Sequence, residues 1–340
     1  MTVEEILKEI RAGLTGEYSI DIVYLENQVK KYSGSANAQA IENGIVDIVY
    51  EILPEDKKTE INKMMYMDGK RLDTVFAEAM KLINEHKIEE SFKLTEALYT
   101  KILINYRETE SKAYLSMRNP LEHQLYLYLY SPSKTLERPP FDLSRMIMLH
   151  GYNLLELGKP EDAINVLEDA IRYNPVNTDP YFEMCECYKV LKRPEDLLAA
   201  TKETISISTT PMELSRCYCN LGYYCVEIKD YDSAICFYYE SLIYDNHPGV
   251  TGELHHIHTI TQKKITPPTR KEVNAAFEKY GMTAGADKDV LSVTSALAKE
   301  ALENKNISDA RFYLAILYGL TNDNEVKAML DKLPKPAKKQ

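Results

Sequence analysis

The sequence predicts an all-α protein, an α-α superhelix built from repeated helix pairs, and three observations carry that reading. Thirteen Gly and fifteen Pro are few for 340 residues, and the text is rich in Leu, Ala, Glu and Lys, residues that favour helix over strand. A stretch beginning at Leu143, LSRMIMLHGYNLLELGKPEDAI, is nearly rewritten from Leu214 onward as LSRCYCNLGYYCVEIKDYDSAI. The two copies share Leu143/Leu214, Ser144/Ser215, Arg145/Arg216, Gly151/Gly222, Tyr152/Tyr223, Glu156/Glu227, Ala163/Ala234 and Ile164/Ile235, more than composition alone would give.

Within the first copy, the turn LGKPED divides two helices. Pro160 suits a first helical turn, and Glu161 and Asp162 favour the positive end of the helix dipole. Small residues at Gly151 and Ala163 let the two helices approach closely. Further on, Ala163, Leu167, Ala170 and Ile171 share one stripe until Asn174-Pro175 ends the helix.

Gly151, Ala163, Leu167, Ala170 and Pro175 stand where the tetratricopeptide repeat, of about 34 residues, has its Gly, Ala, aromatic, Ala and Pro. The chain resembles a tetratricopeptide-repeat (TPR) protein. The stretch TDPYFEMCECYKVLKRPEDLLAATKETI fits a second copy, with Tyr181 and Tyr188 at the family's Trp and Tyr places. It departs at Cys185, which replaces the Gly, and at Leu197, which replaces the first Ala. A third copy is carried by Tyr218, Leu221, Gly222, Ala234 and Tyr238. The spacing from Leu143 to Leu214 is then two repeats plus three residues, assigned to the Thr209-Thr210-Pro211 connection.

Weaker copies flank these. LAKEALENKNISDARFYLAILYGL keeps Ala298, Ala301, Ala310 and Leu317, and FAEAMKLINEHKIEESFKLTEALYTKI keeps only the helix-turn-helix rhythm, as degenerate end repeats of a solenoid do. LEHQLYLYLY alternates like a strand, yet Asn119-Pro120 before it and Ser131-Pro132 after it supply a helix start and stop, so a helix is expected. SPSKTLERPP and ITQKKITPPTR are linker candidates. The organisation expected is an N-terminal helical segment over 1–66, TPR-like repeats over 70–260 that are clearest at 143–248, a C-terminal capping segment over 269–334, and a basic tail over 335–340.

The net charge of −11 opposes a nucleic-acid partner, and the basic residues of KLPKPAKKQ form a solvated end rather than a stripe. MTVEEILKEI is acidic where a secretion signal needs basic and apolar residues, and no window approaches the ~18 apolar residues of a membrane span. A cytoplasmic location and no membrane partner are expected. Six cysteines fall between positions 185 and 236. Cys185/Cys187 and Cys217/Cys219 lie two apart on helices and so point to different sides, which suits reduced core residues rather than a zinc site.

The TPR resemblance implies that the first helix of each repeat lines a concave groove. Arg145, Tyr152 and Glu156, spaced seven and four apart, share one helical face, and Arg216, Tyr223 and Glu227 repeat them. The middle repeat adds Phe182, Glu186 and Lys189. Guanidinium beside a phenol ring suits a peptide ligand, and the same tyrosines and arginines also suit interhelical packing and surface ion pairs. The family's clamp for chaperone C-termini is not matched here, since its places hold Met148, Tyr152 and Glu183, with Arg216 and Asn220 partly compatible. The function expected is a non-catalytic protein- or peptide-binding scaffold or adaptor without a cofactor, with a homodimer as a further possibility.

Two other readings compete. A peptide-sensing regulator on such a scaffold often adds a DNA-binding helix-turn-helix, but residues 1 to 66 hold no basic recognition helix. A metal-dependent enzyme would draw on His255, His256 and His258, yet no HExxH, phosphate loop or nucleophile elbow accompanies them.

Overall fold

The computed structural model describes residues 2–246 and 248–334, so the basic tail at 335–340 lies outside the described residues. The chain divides into two compact units, Met1–Thr74 and Val75–Gln340.

In the first unit, α1 (Val3–Ala12) opens with a reciprocal cap between Thr2 and Glu5. It is followed by α2 (Tyr18–Tyr32), α3 (Ala38–Ile52) and α4 (Glu55–Met65). The apolar faces of α1, α2 and α3 meet in a core of Ile6, Ile10, Leu25, Ile41, Ile45 and Ile48. Asp21, buried at the start of α2, accepts from Thr15 and Gly16, which satisfies the preceding turn. A two-residue turn of Asp68 and Gly69, both at positive φ, joins β1 (Tyr66–Met67) antiparallel to β2 (Lys70–Arg71).

Helix α5 (Leu72–Asn84) begins at the unit boundary, and the second unit continues with α6 (Ile88–Asn105). Next comes β3 (Lys112–Tyr114), then α7 (Pro120–Tyr130), with Asn119 as N-cap and Ser131 left-handed at its end. The Leu-Tyr alternation is therefore helical, as the flanking caps required. SPSKTLERPP differs from the linker expected of it: it contains β4 (Thr135–Glu137), which pairs in parallel with β3. The backbone of an otherwise open segment is thereby partly satisfied.

Three helix pairs follow: α8 (Leu143–Glu156) with α9 (Pro160–Tyr173), α10 (Thr178–Val190) with α11 (Pro194–Ile207), and α12 (Pro211–Glu227) with α13 (Tyr231–Tyr244). Each helix packs on the next, and α8 also meets α6 and α10, as stacked repeats should. Proline occupies the first turn of α9, α11 and α12. The three residues by which the repeat spacing exceeds two units are not a longer connection. They extend α12 to 17 residues against 14 in α8, because Thr210 caps a helix that begins at Pro211, one turn before Leu214.

Gly151 and Gly222 are wedged as the repeat pattern implied. A Cβ at Gly151 would lie 2.7 Å from Leu167, and one at Gly222 would lie 2.6 Å from the Tyr238 ring. Ala163, Ala170 and Ala234 are fully buried.

The array continues into α14 (Gly249–Thr261) and α15 (Arg270–Lys279), both packed on α13. The final helices are α16 (Lys288–Glu303), α17 (Ile307–Thr321) and α18 (Asn324–Lys332). Helix α16 pairs with α17 and also packs against α7 and α11, far back along the chain. Tyr218 anchors the preceding loop, donating to the Gly285 carbonyl at 2.9 Å and accepting from its N–H at 3.0 Å.

Candidate groove on the first helices of the repeats

Helices α8, α10 and α12, the first of each pair, carry the sequence-predicted residues. Asp142 and Thr210 cap α8 and α12 by accepting from Arg145 and Glu213. Those caps fix where each helix begins, and hence which face Arg145 and Arg216 present.

The tightest cluster joins α10 to α12. The Arg216 guanidinium lies 4.3 Å from the centroid of Phe182, and 4.0 and 3.9 Å from the carboxylates of Glu183 and Glu186. Lys189 pairs with Glu186 at 2.8 Å and rests over the Tyr223 ring at 5.4 Å. Phe182 is buried beneath this layer, so its ring is a platform rather than a contact surface. Arg145 stands apart from these, exposed, with its guanidinium 5.5 Å from the Phe76 ring of α5.

Tyr152 and Tyr223 are half-buried, and burial raises both phenols, reinforced by Glu156 and Glu183 at Tyr152 and by Glu227, Glu253 and Glu186 at Tyr223. Both phenols stay protonated donors at neutral pH. Burial also raises the Glu183 carboxyl, with Arg216 opposing. Glu156 and Glu227 are exposed at the C-terminal ends of their helices.

Reasoning from spacing missed Glu183 as a working member of the cluster, and missed Glu253 of α14. The repeat offered no signal for the second, since the spacing that carries Arg145 to Arg216 carries Glu183 to Leu254 rather than to Glu253.

Beside Tyr223 lies a cavity of about 140 Å³ bordered by α10, α12, α13 and α14, with Lys189, Asn220, Tyr238 and Glu253 in its wall. Tyr238 donates to Glu253 at 3.3 Å.

The remaining candidates lie elsewhere. His255, His256 and His258 are exposed on the C-terminal half of α14, and His258 Nδ1 is 2.7 Å from the Lys263 carbonyl. Among the described residues no three His, Cys, Asp or Glu side chains converge on a metal-sized site. The six cysteines are free, five of them buried. Burial pushes Cys185 and Cys236 up to about 11 and Cys187 and Cys225 up to about 12, which keeps them as thiols at neutral pH. Among the described residues no helix is long and apolar enough to cross a membrane.

A family model described as Tetratricopeptide repeat matches residues 144–177. No curated protein matches. Among solved structures, one titled "Crystal structure of APC/C hetero-tetramer Cut9-Hcn1" is similar at 13% identity and a TM-score of 0.39. That likeness covers 96% of this chain, which spans 58% of the other chain's length. The family match falls on α8 and α9, where Gly151 meets Leu167 and where Ala163 and Ala170 are buried as this repeat requires. Residues 144–177 thus form a tetratricopeptide repeat.

Proposed function

We propose that this chain is a non-catalytic scaffold or adaptor, acting in the cytoplasm, that holds a protein or peptide partner on the first-helix face of its repeats. The observation that carries the proposal is the repeated row Arg145/Tyr152/Glu156 and Arg216/Tyr223/Glu227. In both rows the Arg and Glu are exposed and the Tyr is half-buried, while Gly151 and Gly222, beside the tyrosines, are fixed in the helix packing. Large rigid rings next to exposed charges give contact area at low entropic cost, which is how peptide-binding surfaces are commonly built.

The test is affinity capture with the wild-type chain and with a variant carrying Arg145→Ala, Tyr152→Ala, Arg216→Ala and Tyr223→Ala, accepted only if its helical circular dichroism is retained. Partners recovered by the wild type should be lost or strongly depleted with the variant. The same partners from both would remove these residues from the binding surface. Sedimentation of both proteins separates binding of a second copy of the chain from binding of another protein.

A further inference from the structure

Two of the histidines on the C-terminal half of α14 belong to the wall of a cavity. The Lys263 carbonyl lies 2.7 Å from His258 Nδ1, and Gln262, left-handed at φ 56°, turns the chain back where the helix ends. That turn brings Lys264 and Ile265 alongside α13 and α14 and leaves a cavity of about 480 Å³ between them. Its apolar wall includes Tyr239, Leu254 and Ile265, all half-buried, and its rim carries the exposed His255, His258 and Lys264. The volume falls within the roughly 300–1,000 Å³ of small-molecule sites. At about 100° per residue, His255 and His258 stand roughly 140–160° around α14 from Glu253, so this cavity lies away from the side that meets Tyr223.

The charge in the wall decides which ligand fits. The chain as a whole carries −11, yet no carboxylate among the described residues borders this cavity. Lys264 makes no ion pair among the described residues. It also borders an adjoining cavity whose carboxylates are engaged elsewhere: Asp230 by Lys279, Asp232 by Lys263 and Glu272 by Thr269. A backbone carbonyl can only accept, so Nδ1 of His258 carries a proton. Its Nε2 then either offers a lone pair to a metal or, in the imidazolium, donates to an anion. Lys264 separates the two cases. An ammonium in the same wall repels a metal cation and attracts an anion, and a bound anion in turn favours the imidazolium. The phenol ring and aliphatic side chains below the rim call for an apolar body on that anion.

We infer that the cavity between α13, α14 and the turn after Gln262 binds a small organic anion, its carboxylate or phosphate head on Lys264, His255 and His258 and its apolar body against Tyr239, Leu254 and Ile265. Binding takes up protons at the two histidines. Among the described residues, the other charged or titratable groups of the wall are Lys264 from the turn and Tyr239 from α13. The site is independent of partner binding on the first helices.

The test follows the ring nitrogen signals of the histidines in the full ¹⁵N-labelled chain at pH 7, assigned by their absence from His255→Gln and His258→Gln. Four probes are titrated: benzoate, phenyl phosphate, benzylamine, which sets a cation on a similar body, and zinc chloride. Benzoate or phenyl phosphate should move the His255 and His258 signals saturably toward imidazolium values and leave those of His86 and His123 in place. The tighter of the two assigns the head group. Benzylamine should move neither ring. Lys264→Gln, at an exposed position, should weaken the tighter anion about threefold, within the range of one solvent-exposed ion pair. The inference is overturned if neither anion moves both rings, if they move away from imidazolium values, if benzylamine binds as tightly as the anions, or if Lys264→Gln leaves the affinity unchanged. Saturable zinc binding at both rings without a response to either anion makes the pair a metal site and overturns it equally.

Discussion

His150 sits on α8 at the packing surface with α6, 4% exposed, between the rings of Phe92 and Tyr99 at 5.1 and 5.2 Å. Its Nδ1 lies 3.1 Å from Thr95 Oγ1, and Asn153 donates to both Ser91 and Thr95 in the same buried network. Burial lowers the imidazole to about 4. The folded value lies below the unfolded 6.5, so the unfolded chain binds the proton first. The stabilisation from a neutral His150 is full above about pH 6.5 and is lost as pH falls toward 4. Urea unfolding at pH 7, 6 and 5 should show wild-type stability falling as pH drops, by about 2 kcal/mol at pH 5. His150→Gln should remove most of that slope; an unchanged slope would place the titrating group elsewhere. Gly222 makes a second residue-level test. An Ala there gains about 1 kcal/mol of helix propensity but drives its Cβ to 2.6 Å from the rigid Tyr238 ring, an overpacking cost of roughly 1–3 kcal/mol. Gly222→Ala should lower the thermal midpoint, and by more than Gly151→Ala, whose obstacle is the more adaptable Leu167.

Among the elements, α7 is hydrogen-bonded to the end of α9 through one carboxylate. Glu122, 4% exposed at its side chain, accepts from the Arg118 backbone at 2.8 Å, from Arg118 Nε at 2.6 Å and from Asn174 Nδ2 at 2.8 Å. Asn174 closes α9, so Glu122 joins the start of α7 to the corner that leads into α10. Glu122→Ala removes all three of these bonds, while Asn174 Nδ2 keeps the Ser116 carbonyl and Arg118 keeps Asp179, and should cost about 2 kcal/mol in chemical denaturation. Glu122→Gln, which keeps one acceptor oxygen, should cost less. The Asn119-Pro120 start of α7 was legible in the sequence because capping is local chemistry, and the same holds for the glycines and alanines that set the period of the array. The β3–β4 pair was not legible, since parallel pairing of Lys112 with Thr135 reaches across the whole of α7 and leaves no local pattern. Nor was the extra turn of α12, because residues that begin a helix and residues of a loop share the same Thr-Pro chemistry. The candidate rows of Arg, Tyr and Glu were read from spacing alone. That Arg216 and Lys189 are occupied by Glu183 and Glu186 depends on side chains from different helices and appears only once they are packed.

On the scale of the whole second unit, the position of α16 changes how stability should be distributed. In a simple repeat array each element touches its chain neighbours, and removing the last pair weakens only the units beside it. Here α16 packs on α7 and on α11, and its Val290 and Ala298 are buried. Tyr128 of α7 reaches Asp289 at 3.4 Å, and Gly319 of α17 approaches Pro211 at the start of α12. Elements as distant in sequence as those that carry Tyr128 and Asp289 therefore share one packed surface. It lies on α11, a second helix of its pair, whereas the candidate groove residues lie on the first helices. A chain ending at Ala286 keeps α15 and the Tyr218–Gly285 anchor but loses that cover. If contacts ran only between neighbours, amide exchange would quicken in α13 to α15 alone. The packing of α16 instead requires exchange in α7 and α11 to quicken, by about tenfold or more, because buried apolar area is removed directly from them. Hydrogen exchange of both chains, resolved by peptide, decides between the two patterns: protection retained in α7 and α11 would mean that the array is held by neighbour contacts after all.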